Sequence, residues 1–416
     1  MAMMSAATQT RLAPLELGRR EITDEIVGKT VRACEQRYGS RLRAVILTGS
    51  LARDEATVLC SDGPRRVLGD ADFLLTFNRK AKLPSAAAIE SLGEEVTDSL
   101  ERQGVVCAVH LAAVRPGYLA RLPAHISSYE LRHAGRVVFG DEGILELVPE
   151  FSPAQMDRED AWRLLSNRMI EWLEARVGNE PQADSPSVDL AYASVKLWMD
   201  AAASLLVFLG EYEPGYAARA ARLETLGGAP AAELPFPLAQ FRAAVAEATS
   251  WKLRPDSFPA RSFGWGFCEE ARRFAVRLWC WELARMTGQS AGLPPLTLCG
   301  TFSRRLPRKQ RMRGWLRVAR ETGVRGAWPH RRRWAQLSRN GSPRHWLYAV
   351  AAECAIRELG LSTAPVEGLA PGPWLRTLRG FLPVPAPRSA RTDSGWRALV
   401  REIAWNYHEF VERTRA

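Results

Sequence analysis

The sequence contains few cysteines, and their spacing excludes the two kinds of site that depend on them. Seven cysteines are scattered through 416 residues, and no two of them stand in C-x-x-C spacing. An odd number without paired spacing predicts neither a disulfide framework nor a zinc site. Most of the cysteines stand in apolar surroundings, which predicts reduced thiols in the core of the protein.

Long apolar runs are also lacking. The longest, Ala201–Leu209, is far shorter than the roughly 20 residues that span a bilayer. Met1 to Thr10 show neither the charged start nor the apolar stretch of a signal peptide. The sequence therefore predicts a cytoplasmic protein that has no transmembrane segment.

Acidic residues are outnumbered, since 46 Asp and Glu stand against 57 Lys and Arg and give a formal net charge of +11. The imbalance is strongest from Arg304 to Arg344, where Glu321 is the one acid among many arginines and interleaved tryptophans. Basic residues with aromatics can bind an anionic partner such as a nucleic acid or a membrane surface. The alternative is a pair of amphipathic helices that expose arginine and pack tryptophan inward, and the sequence leaves both interpretations open.

The length and the order of apolar patterns predict the fold class. A chain of 416 residues is long enough for two or three domains, each with its own core. Short apolar strands alternate with helices up to the region of Pro149 and Pro153, and amphipathic helices follow. We predict an α+β protein with a mixed sheet flanked by helices in residues 1–150, a helical domain in 151–295 and a basic, mainly helical region in 296–416.

The most informative polar residues lie between two short apolar segments, Val45–Leu47 and Phe73–Leu75, which have the composition of buried strands. Asp70 and Asp72 stand just before the second segment. Because side chains alternate along a strand, the two carboxylates face the same side, about 6.6 Å apart along the chain. Two carboxylates so placed can bind Mg²⁺, which prefers oxygen ligands.

A glycine-serine turn follows the first apolar segment. Gly49 allows the backbone to approach a phosphate closely, and Ser50 adds a hydroxyl at the start of a short predicted helix that contains Arg53. The sequence therefore combines a candidate phosphate-binding turn with a candidate metal site.

The order of an apolar strand, Gly-Ser, a short helix and an Asp-x-Asp strand resembles the nucleotidyltransferase superfamily, which includes polynucleotide adenylyltransferases and antibiotic nucleotidyltransferases. The resemblance covers roughly the first 150 residues. It implies an enzyme that transfers a nucleoside monophosphate from an NTP to an acceptor hydroxyl and releases pyrophosphate. Asp70 and Asp72 would be catalytic and would bind one or two Mg²⁺ ions, while Gly49, Ser50 and Arg53 would bind the nucleotide.

The chain departs from the pattern of that superfamily in two places. Val58 to Leu68 lengthen the gap between the turn and the carboxylates, and a third carboxylate on a later strand is not evident. His110, in the predicted strand Val105–Val114, stands where that group is expected and would act as a general base; the alternative is a hydrogen-bonded core histidine. Glu130 is a second candidate for the third carboxylate, with a solvated helix residue as its alternative.

The predicted helix Asp189–Leu209 carries a further candidate. The resemblance implies that Lys196 on this helix binds the triphosphate, as a helix lysine does in the helical domain of small-molecule nucleotidyltransferases. An ion pair with Asp200, one turn away, is the alternative.

The residues leave the reaction itself open at two points. The acceptor could be a small molecule, a protein side chain or an RNA end, and any of the four nucleoside triphosphates could be the donor. A degenerate member of the superfamily that binds nucleotide, RNA or a partner without turnover is the alternative function.

Overall fold

A computed structural model describes residues 5–59, 63–179, 184–227, 233–255, 263–361, 371–384 and 395–412 of the protein. The chain divides into two compact units. Unit 1 comprises Met1–Asp157, Gly210–Arg222 and Thr249–Pro259, and unit 2 comprises Arg158–Leu209, Leu223–Ala248 and Ala260–Ala416. The domain boundaries that we placed at 150 and 295 stay predictions.

Unit 1 contains a five-stranded sheet with helices. Its elements in chain order are α1 (Ser5–Tyr38), β1 (Leu42–Thr48), α2 (Gly49–Ala52), β2 (Thr57–Leu59), β3 (Arg65–Phe77), α3 (Ala86–Glu101), β4 (Val105–Val114), α4 (Pro116–Leu119), α5 (Ile126–Ala134) and β5 (Arg136–Gly140). Strand β3 pairs with β4 in parallel along one edge and with β1 and β2 antiparallel along the other, and β5 pairs with β1. The mixed sheet confirms the predicted α+β class.

The two faces of the sheet are covered unequally. A large core on one face contains Ile22 of α1 and Leu92 of α3 together with Phe73 and Leu75 of β3. A smaller cluster on the other face is built on Ala44, Ile46, Leu119, Leu131, Ile144 and Val148, and Leu74 packs against it. The part of β3 that precedes Leu74 on this second face extends past the cluster, and there Asp70 is exposed and Asp72 is partly exposed.

Unit 2 is built mainly of helices. The chain after residue 157 forms α6 (Arg158–Val177), α7 (Val188–Leu209), α8 (Tyr216–Thr225), α9 (Leu238–Leu253), α10 (Trp265–Thr287), α11 (Pro295–Arg305), α12 (Arg308–Ala327), α13 (Arg331–Asn340), α14 (Pro343–Leu361), α15 (Pro371–Arg379) and α16 (Trp396–Tyr407). Helices α8 and α9 each begin in one unit and end in the other. This architecture confirms the predicted mainly helical C-terminal region.

Helix α7 supplies much of the core of unit 2. It is the one helix among the described residues that is long and apolar enough to cross a membrane, but 72% of its most apolar stretch is buried inside the protein. Such burial is typical of the central helix of a soluble protein. The cysteines that the structure describes are all buried, as the sequence predicts.

The basic segment forms the amphipathic helices α12 and α13. Trp315, Trp334 and Trp346 are buried in one apolar cluster with Val318 and Leu337. Trp328 differs, because 63% of its surface is exposed. Inward packing of the tryptophans is therefore confirmed for three of the four, and an anionic partner for the arginine-rich face stays a prediction.

Candidate functional site

The exposed face of β3 carries the predicted pair of carboxylates. Asp70 and Asp72 flank the buried Ala71, so both side chains lie on the open face of the sheet. The register between β3 and β4 shifts between Arg66 and Asp70, and Gly69 has a φ of +126° at this point. A bulge of this kind re-aims the side chains that follow it.

His110 lies beside the carboxylates on the neighbouring strand. It pairs with Asp72 in the parallel register of β3 and β4, and its Nε2 is 3.6 Å from Oδ1 of Asp70. The side chains of His110 and Asp70 are 46% and 51% exposed. His110 is therefore not a core histidine, and the structure brings it to the aspartate pair.

The glycine-serine turn reaches the same place from β1. Thr48, the last residue of β1, pairs with Asp72, and its hydroxyl donates a hydrogen bond to the Asp72 carbonyl oxygen at 3.3 Å. Gly49 follows with a φ of +71°, and a Cβ at this position would lie 3.4 Å from Oδ2 of Asp72. Backbone without a side chain therefore faces the carboxylate directly. Ser50 is the next residue, in the four-residue helix α2.

A buried thiol on β4 lies near the aspartates. Burial, together with the charges of Asp70 and Asp72, raises the pKa of Cys107 to about 12. The group remains a neutral thiol at pH 7, so it offers neither a thiolate ligand nor a nucleophile.

The donor set fits Mg²⁺ bound together with a nucleotide. The described part of the chain contains no group of three or more His, Cys, Asp or Glu side chains arranged to hold a metal ion. Mg²⁺ is commonly bound by one or two carboxylates, with water and substrate phosphates as the other ligands. Asp70 and Asp72 supply two carboxylates on one open face, which meets that requirement without a third.

The extra residues between the turn and the carboxylates extend the sheet. Thr57–Leu59 and Arg65–Phe77 form the antiparallel hairpin of β2 and β3, and residues 60–62 between the two strands lie outside the described residues. Arg65 at the start of β3 forms an ion pair with Glu25 at 2.7 Å. The insertion therefore lengthens the strand that carries the aspartates.

Arg53 occupies a partly buried ionic cluster in unit 1. Its side chain is 7% exposed, its Nε lies 3.1 Å from Glu55, and its Nη1 lies 3.0 Å from Glu130. Burial alone would lower the pKa of Arg53, but Glu130 and further interactions with Tyr216 and Glu55 keep it above its ordinary value. Arg53 is thus engaged with two carboxylates, and its assignment to the nucleotide stays a prediction.

Glu130 is the centre of that cluster. Its carboxylate accepts hydrogen bonds from Arg53, from Nη1 of Arg219 at 3.2 Å and from the hydroxyl of Tyr212 at 2.6 Å. It is therefore neither a solvated helix residue nor a carboxylate on the strand beside Asp72. The sequence contained no signal for this cluster, because its members come from segments far apart in the chain.

Lys196 lies on α7 in unit 2. Its Nζ is 3.7 Å from Oε2 of Glu171 and 5.4 Å from the ring centroid of Tyr192. Asp200, the partner that the spacing suggested for Lys196, accepts a hydrogen bond from Nε of Arg168 at 2.6 Å. The binding of phosphate by Lys196 stays a prediction.

Asp70, Asp72, His110 and Gly49 thus meet at one place on the sheet of unit 1, while Arg53 and Lys196 have ion pairs within their own units. Comparison of the sequence with protein-family models and with curated proteins gives no match.

Proposed function

We propose that the protein is a Mg²⁺-dependent nucleotidyltransferase that transfers a nucleoside monophosphate from an NTP to an acceptor hydroxyl. One observation supports this proposal most strongly. Asp70 and Asp72 share an open face of β3, and the positive-φ backbone of Gly49 lies directly beside Asp72. Paired carboxylates next to a side-chain-free turn provide both a cation site and room for phosphate.

Each residue has a separate part in binding the donor. Gly49 leaves the space that a phosphate needs to approach the backbone, and Ser50 adds a hydroxyl donor. Asp70 and Asp72 would hold Mg²⁺, which when bound neutralises charge on the phosphate oxygens. The open face of the sheet keeps these groups accessible to a ligand as large as an NTP.

His110 would move the proton in the transfer step. Nε2 lies 3.6 Å from Oδ1 of Asp70, and in the tautomer with the ring proton on Nε2, Nδ1 would accept the proton of the acceptor hydroxyl. The hydroxyl oxygen forms a bond to the α-phosphorus, the bond from that phosphorus to the bridging oxygen breaks, and pyrophosphate leaves. Asp70, 3.6 Å away, stabilises the imidazolium that results.

Thermal-shift titration tests the site directly. We expect at least one of ATP, GTP, CTP and UTP to raise the melting temperature when Mg²⁺ is present, and we expect Asp70→Asn/Asp72→Asn to abolish that shift. A ligand that binds only the folded state stabilises it by about 2.7 kcal/mol at a hundredfold excess over Kd, which is readily measured.

A matched control separates loss of the site from loss of two negative charges. Glu94→Gln/Asp98→Asn removes the same charge from exposed positions on α3 and should leave the shift intact. The proposal is wrong if no nucleotide shifts the wild-type protein, or if both double variants respond equally.

Binding without turnover is a second candidate. It is supported by the lack, among the described residues, of a third metal-ligating side chain beside Asp70 and Asp72. Pyrophosphate formation, followed by phosphorus NMR with a panel of acceptors, distinguishes the two functions. Release that requires both Mg²⁺ and His110 supports the enzyme, whereas a Mg²⁺-dependent shift without release supports the binding protein.

We also propose a cytoplasmic location. The burial of α7 within unit 2 is compatible with a soluble protein, and the nucleotide and Mg²⁺ that the site requires are abundant in that compartment.

A further inference from the structure

A cavity of about 280 Å³ lies within unit 2, between α6, α12 and the first turn of α14. Three arginines line it: Arg163 from α6, Arg317 from α12 and Arg344 from α14. We call it the arginine cavity. It is unrelated to the residues proposed for nucleotidyl transfer, all of which but Lys196 belong to unit 1.

The protein neutralises the three guanidinium groups only in part, since Glu159 is the one carboxylate that lines the cavity with them. Within the described ranges, none of them has a carboxylate within 4.0 Å, and Nε of Arg163 is buried without a hydrogen-bond partner. Arg163 also interacts with the hydroxyl of Tyr348. Arg163 and Arg344 are partly buried and Arg317 is exposed, so an anion bound in the cavity would offset the excess positive charge of its lining.

Glu159 and His345 complete the titratable groups of the cavity. Burial acts to raise the pKa of Glu159, but His345 and the nearby arginines outweigh it and keep that pKa below its ordinary value, so the carboxylate is ionised. Burial lowers the pKa of His345, so this ring is neutral. Its Nε2 lies 3.4 Å from Glu159, and its Nδ1 lies 3.0 Å from the hydroxyl of Ser303.

The resulting charge selects the kind of anion. Three arginines and one ionised carboxylate leave the lining with two uncompensated positive charges. Burial and the charges of Arg163 and Arg317 together outweigh the opposing effects of Tyr348 and Glu159 and lower the pKa of Arg344. A phosphate monoester carries about −1.5 to −2 charges at pH 7 and accepts paired hydrogen bonds from arginine.

The size and the remaining lining indicate more than a bare phosphate. A water molecule occupies roughly 30 Å³ of liquid volume, so a cavity of about 280 Å³ holds a phosphate and an attached organic group. Apolar side chains complete the wall, among them Val318, Leu347 and Phe410. Such a wall suits a small apolar body next to a charged head.

We infer that the arginine cavity is a binding site for a small organic phosphate monoester, with Arg163 and Arg344 as its principal ligands and the exposed Arg317 as a further cation in the lining. The inference stands on the geometry of unit 2 alone and does not require nucleotidyl transfer in unit 1.

Isothermal titration calorimetry with phenyl phosphate tests the inference on the full-length protein. We expect saturable binding, weakened at least tenfold by Arg163→Met and by Arg344→Met. Methionine keeps the length of the side chain without its charge, and removing one cation from a lining with excess positive charge should not unfold the protein. Circular dichroism of each variant verifies that it is folded.

Arg320→Met is the matched control, because Arg320 is exposed on α12 but does not line the cavity. We expect this variant to bind within twofold of wild type. Inorganic phosphate should bind more weakly than phenyl phosphate, and equal affinity would identify free phosphate as the source of the same chemistry. Benzoate at equal affinity would overturn the preference for a dianion.

The inference is wrong if phenyl phosphate does not bind, or if Arg163→Met and Arg344→Met both bind it as wild type does. The same titration on Asp70→Asn/Asp72→Asn in the presence of EDTA separates the two proposals. Binding should persist there, whatever the outcome for the nucleotide site.

Discussion

Replacement of Glu130 with alanine is expected to lower the free energy of unfolding of unit 1 by about 3 kcal/mol, the lower end of the range for breaking a buried ion pair. The side chains of Arg53 and Arg219 are only 7% and 4% exposed, and both point at the Glu130 carboxylate. Without it, Arg219 loses the 3.2 Å ion pair with Glu130, while its contacts with the neutral hydroxyl of Tyr212 and the carbonyl of Glu213 remain. Urea unfolding followed by circular dichroism measures the loss.

Hydrogen exchange shows whether the lost stability of the Glu130→Ala variant comes from disruption of this ionic cluster. The Glu55 carboxylate accepts hydrogen bonds from the amides of Tyr216 and Ala217, and Arg53 joins Glu55 to Glu130. Hydrogen exchange in residues 210–222 should therefore accelerate in the Glu130→Ala variant.

An exposed pair provides the control for Glu130. Glu95 forms an ion pair with Arg37 at 2.8 Å, with side chains 52% and 45% exposed, and exposed pairs contribute about 0.2–1 kcal/mol. Glu95→Gln should therefore change stability by less than 1 kcal/mol. Equal effects of the two substitutions would contradict the structural role of Glu130.

Local patterns in the sequence predicted the elements and the aspartate pair well. The predicted strand Val105–Val114 is β4, and the predicted helix Asp189–Leu209 differs from α7 by one residue. Periodicity determines such elements because it depends on neighbours within a few positions. The alternation of side chains along a strand likewise predicts from the sequence alone that Asp70 and Asp72 share one face of β3.

Ionic partners could not be predicted in the same way. Lys196 and Asp200 stand one helical turn apart, yet Asp200 binds Arg168 of α6 and Lys196 lies beside Glu171. The arginine cavity likewise combines side chains of three helices that are distant in sequence. Partner choice for a long charged side chain depends on how helices pack, and a single sequence contains no direct record of that packing.

The buried Glu282 is expected to make the free energy of unfolding depend strongly on pH. Glu282 on α10 is fully buried, one oxygen accepts a hydrogen bond from the Ser204 hydroxyl at 2.7 Å, and the other has no partner in the described part of the chain. Burial raises the pKa of its carboxyl group to about 8 in the folded protein, from an ordinary value of 4.5. The folded state therefore keeps a proton that the unfolded state releases.

The sign of the effect follows from the proton balance. Below pH 4.5 both states hold the proton, and the raised pKa costs no stability. As the pH rises from there toward 8, the unfolded state ionises and is favoured, so the free energy of unfolding falls by about 1.4 kcal/mol per pH unit. Across pH 5 to 8 the loss from this one group is on the order of 4 kcal/mol.

Glu282→Gln isolates this contribution because glutamine does not titrate. We expect the stability of the variant relative to wild type to rise by about 1.4 kcal/mol per pH unit between pH 5 and 8, measured by urea unfolding at each pH. Glu270→Gln on the same helix is the control, since the Glu270 side chain is 55% exposed and lies 3.9 Å from Arg273. Its difference from wild type should stay nearly constant over that range.

Parallel stability curves for wild type and Glu282→Gln would show that Glu282 is ionised in the folded protein. Its buried carboxylate would then need stabilisation beyond the Ser204 hydroxyl.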